Sequence, residues 1–320
     1  MKNKILVAGG AGFMGSYFIS YMMQQYPYLE IVNIDNFSYQ QDKTDRLSHF
    51  ERYTFVEGDI TDMVFVEDMI KKYQIELIIN FAAETRIEQS LSQPSPMIYN
   101  NIIGITNILE VSRIYHIPVI YMSSAEVLGS EYTGFALESQ ALSPSNPYAA
   151  SKAAGDMLCQ AYAKTYDMPI VITRSCNIMG PYEYPNTDLP QMITAVLMGK
   201  NISLYGDGLQ SREWMYIEDH SRAIDAIIQK GVYNGSIYHI GTGFEMTYLE
   251  LAQYMMKKLD IHNSIDYIPD FKGHDRRYAL DSQKIRALGW KPVFDLDTSI
   301  RKTLEWYRNN QSWWQPLIGK

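Results

Sequence analysis

Residues 9–15 read Gly9-Gly10-Ala-Gly12-Phe-Met-Gly15, with the apolar run Lys4-Ile-Leu-Val-Ala8 before them and an amphipathic stretch over roughly 14–26 after them. No other feature restricts the fold as much as this order of buried strand, glycine loop and helix. The chain has to turn tightly, admit a pyrophosphate to its backbone and seat the helix closely on the strand, and a side chain would obstruct each task. The first turn of the helix then presents unpaired N–H donors and positive potential to the anion.

Ile31-Val-Asn-Ile-Asp35 reads as a second strand, and its terminal carboxylate stands 20 residues past Gly15. An acid at that place accepts hydrogen bonds from both ribose hydroxyls and repels a 2′-phosphate, which favours NAD over NADP. Thr54–Asp59 resembles a third strand, 64–73 a helix, Leu77-Ile-Ile-Asn-Phe81 a fourth strand and 96–115 a helix. Val119–Met122, a helix from Pro147 and Ile170-Val-Ile-Thr173 continue the alternation. Strands that are apolar throughout and alternate with helices predict a parallel sheet covered on both faces, a doubly wound α/β fold of Rossmann type.

After about residue 173 the rhythm loosens. Residues 182–190 read as an ordered loop, Gly206-Asp-Gly208 as a turn, 219–230 as a helix and 237–240 as a strand. Helices are expected at 247–259 and 297–309, with a charged loop, Gly273-His-Asp-Arg-Arg-Tyr278, between them. We therefore expect a dinucleotide-binding domain of residues 1–173 plus about 219–245. A smaller, interleaved C-terminal lobe of about 174–218 plus 246–320 would bind substrate.

Lys and Arg number 28 against 36 Asp and Glu, a net charge of −8, which argues against nucleic-acid or anionic-membrane binding. An anionic ligand then needs local concentrations of Arg and backbone N–H groups. Two cysteines, Cys159 and Cys176, supply no disulfide framework and fit a reducing compartment. No apolar run approaches the length of a membrane span, so a cytoplasmic protein is expected. No cluster of His, Cys and Asp has metal-ligand spacing, and no metal is expected. His239 and His274 read as structural, and Trp313-Trp314 as docking of the tail.

In Ser145-Asn-Pro147-Tyr148-Ala-Ala-Ser-Lys152 polar cap candidates precede a Pro suited to a first helical turn. Tyr148 and Lys152, at i and i+4, share a helical face. A nearby ammonium favours the phenolate. Tyr148 can then take the proton of a substrate hydroxyl while hydride leaves the same carbon for the dinucleotide.

These residues together resemble the extended short-chain dehydrogenase/reductase family. Asp59, Asn80-Phe-Ala-Ala83, Asn101-Ile-Ile-Gly104-Ile-Thr106 and Ser123-Ser124 add to the likeness. Within it, the chain is similar to nucleotide-sugar 4,6-dehydratases of the dTDP-glucose type. That narrower likeness is carried by the segments 82–90, 177–182, 212–219, 273–281 and 299–307. The resemblance implies that NAD is held by Gly9, Gly12, Phe13, Met14 and Gly15 of the loop and by Asp35 and Asn36. Asp59 with Ile60, Ala82 with Ala83, and Tyr148 with Lys152 complete the implied set. It also implies a nucleotide-diphosphate sugar as substrate, held at Arg86, Ser124, Ala125, Glu126, Asn177, Arg212 and Arg276. A homodimer paired through the helices of 96–115 and Tyr148 is implied as well, with Ile98, Ile102, Met157 and Tyr162 serving either that interface or a core.

In that family the sugar is oxidised at carbon 4, loses water across carbons 5 and 6, and receives the hydride back at carbon 6. The family motif Thr-Asp-Glu supplies an acid for the departing hydroxide and a base for the carbon 5 proton. Here the matching residues are Ser124, Ala125 and Glu126, so the hydroxyl and the base remain and the acid is absent. Arg86 replaces a family His, Leu128 a family Tyr, and Pro185-Asn-Thr187 the family's Pro-Glu-Lys, so no thymine preference carries over. The implied function is an NAD-dependent lyase with catalytic Tyr148, Lys152, Glu126 and Ser124. The alternatives are a nucleotide-sugar 4-epimerase, suggested by Ser-Ser-Ala, a UDP-hexuronate decarboxylase, suggested by Arg86, and a sensor without turnover.

Overall fold

The computed structural model describes residues 2–38, 47–130, 133–260 and 264–318. Along the chain run β1 (Lys4–Ala8), α1 (Phe13–Gln25), β2 (Glu30–Asp35), β3 (Tyr53–Glu57), α2 (Met63–Tyr73) and β4 (Leu77–Asn80). Next come α3 (Ile87–Ser92), α4 (Pro94–Tyr115), β5 (Val119–Met122), a 3-10 turn (Ala125–Leu128), α5 (Pro147–Tyr166) and β6 (Ile170–Ser175). The remainder comprises β7 (Asn177–Met179), α6 (Asp188–Leu197), β8 (Ile202–Tyr205), β9 (Ser211–Tyr216), α7 (Ile217–Lys230), β10 (Ser236–Ile240) and β11 (Glu245–Thr247). Then follow α8 (Tyr248–Leu259), β12 (Ile265–Ile268), β13 (Arg277–Tyr278), α9 (Gln283–Arg286), α10 (Leu296–Asn309) and α11 (Gln311–Trp314).

Seven parallel strands form the main sheet in the order β10-β6-β5-β4-β1-β2-β3. Strand order reverses between β1 and β4, where a doubly wound sheet opens a crevice at the carboxyl ends of its strands. The expected fold class is therefore the observed one. Ile5, Leu6, Val7, Ile78, Ile79, Val119, Ile120, Val171 and Ile172 are fully buried, which is why these strands read as continuous apolar runs rather than as alternation. Each such side chain contributes about 1.5–3 kcal/mol of burial.

Local signals place the helices well. Asn146 caps α5 and Pro147 takes its first position. Asp62 caps α2 by accepting from the N–H groups of Val64 and Phe65. A buried ion pair, Arg174 Nε to Asp156 Oδ2 at 2.7 Å, ties α5 to β6.

The second half departs further from the sequence expectations. The loop expected over 182–190 ends early, because Asp188 already begins α6, a helix the sequence reading lacks. Short strands gather around β9, which pairs with β11 antiparallel and with β7 and β13 in parallel, while β8 pairs with β12. Part of the charged loop 273–278 is thus strand, with Tyr278 opposite Arg212. Segment 219–245 contributes β10 to the main sheet. At the tail, Trp314 is fully buried and donates to Tyr307 O at 2.7 Å, while Trp306 and Trp313 pack on Tyr182.

Candidate active site

The crevice at the strand reversal is a cavity of about 530 Å³. Its first wall is the glycine loop. Gly9 has φ +77°, and a Cβ there would lie 2.5 Å from Ala82 N, so the end of β1 can pass the end of β4 only without a side chain. A Cβ on Gly15 would collide with Gly9 O, which is how closely α1 seats on the turn. Asp35 closes this end, accepting from Ala11 N at 3.0 Å and Phe37 N at 2.9 Å. Asp59 accepts from Thr61 N at 2.8 Å and Asn36 Nδ2 at 2.9 Å, and although burial pushes its carboxyl upward, these bonds hold it below the usual range.

Gly9, Gly12, Phe13, Met14, Gly15, Asp35, Asn36, Asp59, Ile60, Ala82 and Ala83 all line this wall. A side-chain-free turn, a helix N-terminus and a carboxylate at the second strand's end make up the donor set a dinucleotide needs. The residues present therefore fit the cofactor expected from the sequence.

The floor comes from β5 and α5. Ser124 Oγ accepts from Glu126 N at 3.2 Å and caps the 3-10 turn, so Ser124 and Glu126 both face the cavity. Ala125 turns the other way, is fully buried among apolar residues and does not line the cavity. Tyr148 lines the cavity one residue into α5. Lys152 lies one turn on, buried, its ammonium 4.8 Å from the centre of the Tyr121 ring. Burial lowers Lys152 to about 8 against the attraction of Asp156.

Glu126 is the least ordinary carboxyl here. Burial pushes it up to about 7, with Arg212 opposing and Asp275 adding to the rise. A carboxyl poised there can both accept and return a proton at neutral pH.

The opposite wall comes mainly from the second half of the chain. Asn177 lines it and accepts from Tyr278 OH at 2.6 Å. Arg86 lines the cavity too, but Glu84 grips it at 2.9 and 2.6 Å. Arg212 and Arg276 lie outside the cavity lining. Arg212 is buried between Tyr278 and Tyr248, 4.7 and 5.5 Å from their ring centres. Arg276 makes a two-pronged pair with Asp207 at 2.7 and 3.0 Å.

The cavity also holds residues that the sequence reading did not single out. Glu183, pushed up to about 8 by burial, accepts from Thr187 Oγ1 at 2.8 Å, and Tyr184, Asp188, Gln191 and Trp214 stand near it in the lining. Trp214 falls within the segment 212–219 that carries the family likeness, but no motif marks Glu183, Tyr184, Asp188 or Gln191, whose position depends on α6 and the loop before it. A second hollow of about 470 Å³ adjoins through Asn186, Asp188 and Gln191, with Ser203, Tyr205 and His274 on its far side.

The family model described as GDP-mannose 4,6 dehydratase matches residues 6–303. A dTDP-glucose 4,6-dehydratase of Actinoplanes sp. is 37% identical, over 97% of this chain and 99% of its own. The crystal structure of a dTDP-glucose 4,6-dehydratase from Streptomyces venezuelae with NAD bound superposes with a TM-score of 0.94 at 36% identity, covering 98% of this chain and 99% of its own. A UDP-glucose 4-epimerase from Thermotoga maritima is more distant, with a TM-score of 0.89 at 27% identity over 96% of this chain and 99% of its own.

Proposed function

The chain belongs to the GDP-mannose 4,6 dehydratase family, and from that premise we propose that it is an NAD-dependent nucleotide-sugar 4,6-dehydratase, a lyase that works without an acid at position 125. The observation that carries this reading is one cavity shared by the glycine loop, Ser124, Tyr148 and a Glu126 poised at about 7. NAD, when bound, supplies a hydride acceptor for sugar carbon 4 and later a hydride donor for carbon 6.

The chain's own residues handle the protons. Tyr148 takes the proton of the carbon 4 hydroxyl, with the Lys152 ammonium favouring its phenolate and Ser124 hydrogen-bonding the oxygen. The resulting ketone acidifies carbon 5. Glu126 removes that proton and, with no carboxyl at 125, hands it to the hydroxide leaving carbon 6, so water departs and a carbon–carbon double bond forms. Tyr148 finally returns its proton as the product settles to a 4-keto-6-deoxy sugar. A single carboxyl serves both ends of the elimination when both groups lie on one face of the sugar.

For the diphosphate we assign Arg212, Arg276 and Asn177, with Arg86 nearer the sugar. The nucleoside end extends into the second hollow. We assign residues 1–173 plus about 219–245 to the cofactor and the rest to the nucleotide sugar. Ile98, Tyr99 and Met157 are exposed on α4 and α5, the faces through which we expect two copies to pair. No described helix is long and apolar enough to cross a membrane, and we take the cytoplasm as its location.

Mass spectrometry after incubation with a panel of nucleotide hexoses and hexuronates tests the reading. Loss of one water from a hexose identifies the dehydratase and its donor together. A product of unchanged mass with an altered proton NMR spectrum makes it an epimerase, and release of carbon dioxide makes it a decarboxylase.

A further inference from the structure

Ser175, the last residue of β6, lines the cavity, yet the proton chemistry above gives it nothing to do. Its hydroxyl is held from behind. His220, near the start of α7 and fully buried, brings Nε2 to 3.0 Å from Ser175 Oγ. The imidazole and the Phe81 ring meet in a T-shaped contact, 6.5 Å between centres, and Phe81 lines the cavity as well. The other ring nitrogen of His220, Nδ1, is buried with no hydrogen-bond partner among the described residues.

That orphan nitrogen decides the direction of the bond. Burial holds His220 neutral, lowering it to about 3, so one nitrogen carries a hydrogen and the other a lone pair. A hydrogen on Nδ1 would be a buried donor without an acceptor, a rarer and costlier defect than an unfilled lone pair. The hydrogen therefore sits on Nε2 and is donated to Ser175 Oγ. A hydroxyl that accepts from His220 still has its own hydrogen to place. No acceptor for it stands among the described residues, which leaves the cavity that Ser175 lines.

The sheet tells what meets that donor. Asp35 ends β2 and the glycine loop follows β1, whereas Ser175 ends β6, beyond β4 and β5 on the other side of the strand reversal. A dinucleotide anchored by its adenosine at Asp35 and by its pyrophosphate at the loop extends across the reversal towards β5 and β6. Ser124 and Tyr148 line the cavity there too. The one hydrogen-bonding substituent on a nicotinamide ring is its carboxamide. We propose that Ser175, oriented by His220, is a cofactor-positioning residue whose hydroxyl donates to the carboxamide oxygen of the nicotinamide. The proposal rests on NAD being the cofactor and on Tyr148 working at its nicotinamide end. A neutral pair suits the task. An imidazolium would repel the oxidised ring, which is a cation, and favour the reduced one, whereas a neutral donor holds both in one orientation.

Calorimetric titration with NAD and with its acetylpyridine analogue tests this, because the analogue keeps the carbonyl oxygen and lacks the amide N–H groups. S175A should weaken both by about three- to tenfold, the effect of one neutral hydrogen bond, while its melting temperature stays close to the parent's. H220F keeps a ring in the core and loses the donor, so it should weaken NAD by a similar factor. H220Q should recover part of that loss through its amide, and S175A/H220F should bind no worse than S175A alone. Nitrogen NMR of the parent should find the His220 hydrogen on Nε2 throughout the neutral range. Unchanged NAD affinity in S175A overturns the proposal, even where H220F fails to fold. So does a loss confined to NAD with the analogue spared, which would make the hydroxyl an acceptor from the amide. Additive losses in the double variant, or a hydrogen on Nδ1, would remove His220 from the role. A raised KM for the nucleotide sugar at unchanged NAD affinity would give Ser175 to the substrate instead. If the parent itself takes up no NAD, the cofactor reading fails and this one with it; if parent and S175A bind NAD equally, this one alone fails.

Discussion

The two walls of the cavity are built on opposite principles. The side we assign to the cofactor offers mainly backbone: a glycine turn, a helix N-terminus and one carboxylate that is already hydrogen-bonded to the loop it faces. The side we assign to the substrate is made of long side chains that are engaged with one another. Glu84 holds Arg86 in the lining, while outside the lining Asp207 holds Arg276 and two tyrosines flank Arg212. A backbone cradle offers the same contacts every time and tolerates almost no change. A paired-arginine wall can exchange its partners for phosphate or sugar oxygens, so its specificity can drift while the fold holds. This contrast suits a family that keeps one cofactor and varies its sugars.

The strongest attempt to break the contrast strikes between the walls. E126Q should lower the rate of water loss about 10²–10⁴-fold while reduced nicotinamide still forms; normal turnover would remove Glu126 from the mechanism. In the parent, elimination should climb with pH through about 7, because the base acts as the anion. Stability runs the other way. The folded-state value lies above the ordinary 4.5, so the stability Glu126 contributes is fully present below 4.5 and is lost as pH rises through about 7. E126Q escapes that loss, and its melting temperature should gain on the parent's between pH 4.5 and 8. A pair of curves that stay parallel would show the carboxyl to be unperturbed.

G15A addresses the backbone wall. The added Cβ meets Gly9 O, so loop or helix has to shift where a pyrophosphate would approach. Overpacking of this kind costs about 1–3 kcal/mol, and NAD affinity measured by calorimetry should fall about 10- to 100-fold. Unchanged affinity would mean that the loop has slack, and the rigid half of the comparison would fail.

The same contrast explains what could be read from the sequence. Gly9, Gly15, Asp35, Tyr148 and Lys152 are local signals: each belongs to a short segment whose chemistry is complete within it. The parallel sheet was legible because β1, β4, β5 and β6 are buried on both faces and therefore apolar throughout. The small lobe was not. β7 and β11 have three residues each and β13 has two, and their pairing with β9 spans tens of residues in the chain. α6 was absorbed into a loop because Pro185 and Pro190 flank its start, although Pro190 falls in its first turn, where proline is tolerated. Arg276 was recognisable as a candidate phosphate ligand, but no local pattern connects it to Asp207, 69 residues earlier in the chain. Asn146 was visible as a cap.

The smallest effect is the most informative about the paired wall. Arg276 holds Asp207 down to about 2, so at neutral pH the pair is fully ionised, with both side chains well exposed. An exposed pair of this sort is weak, and a diphosphate carrying more charge should displace the aspartate at little cost. D207N removes the competitor and leaves the guanidinium in place, so KM should fall, about two- to five-fold, with kcat unchanged. R276A should do the opposite, raising KM about tenfold because a bidentate contact to phosphate is lost. The two substitutions move one constant in opposite directions only if Asp207 is a placeholder for the ligand. If D207N raises KM as R276A does, the pair is instead a strut that orients the arginine, and the substrate wall is as preorganised as the cofactor wall facing it.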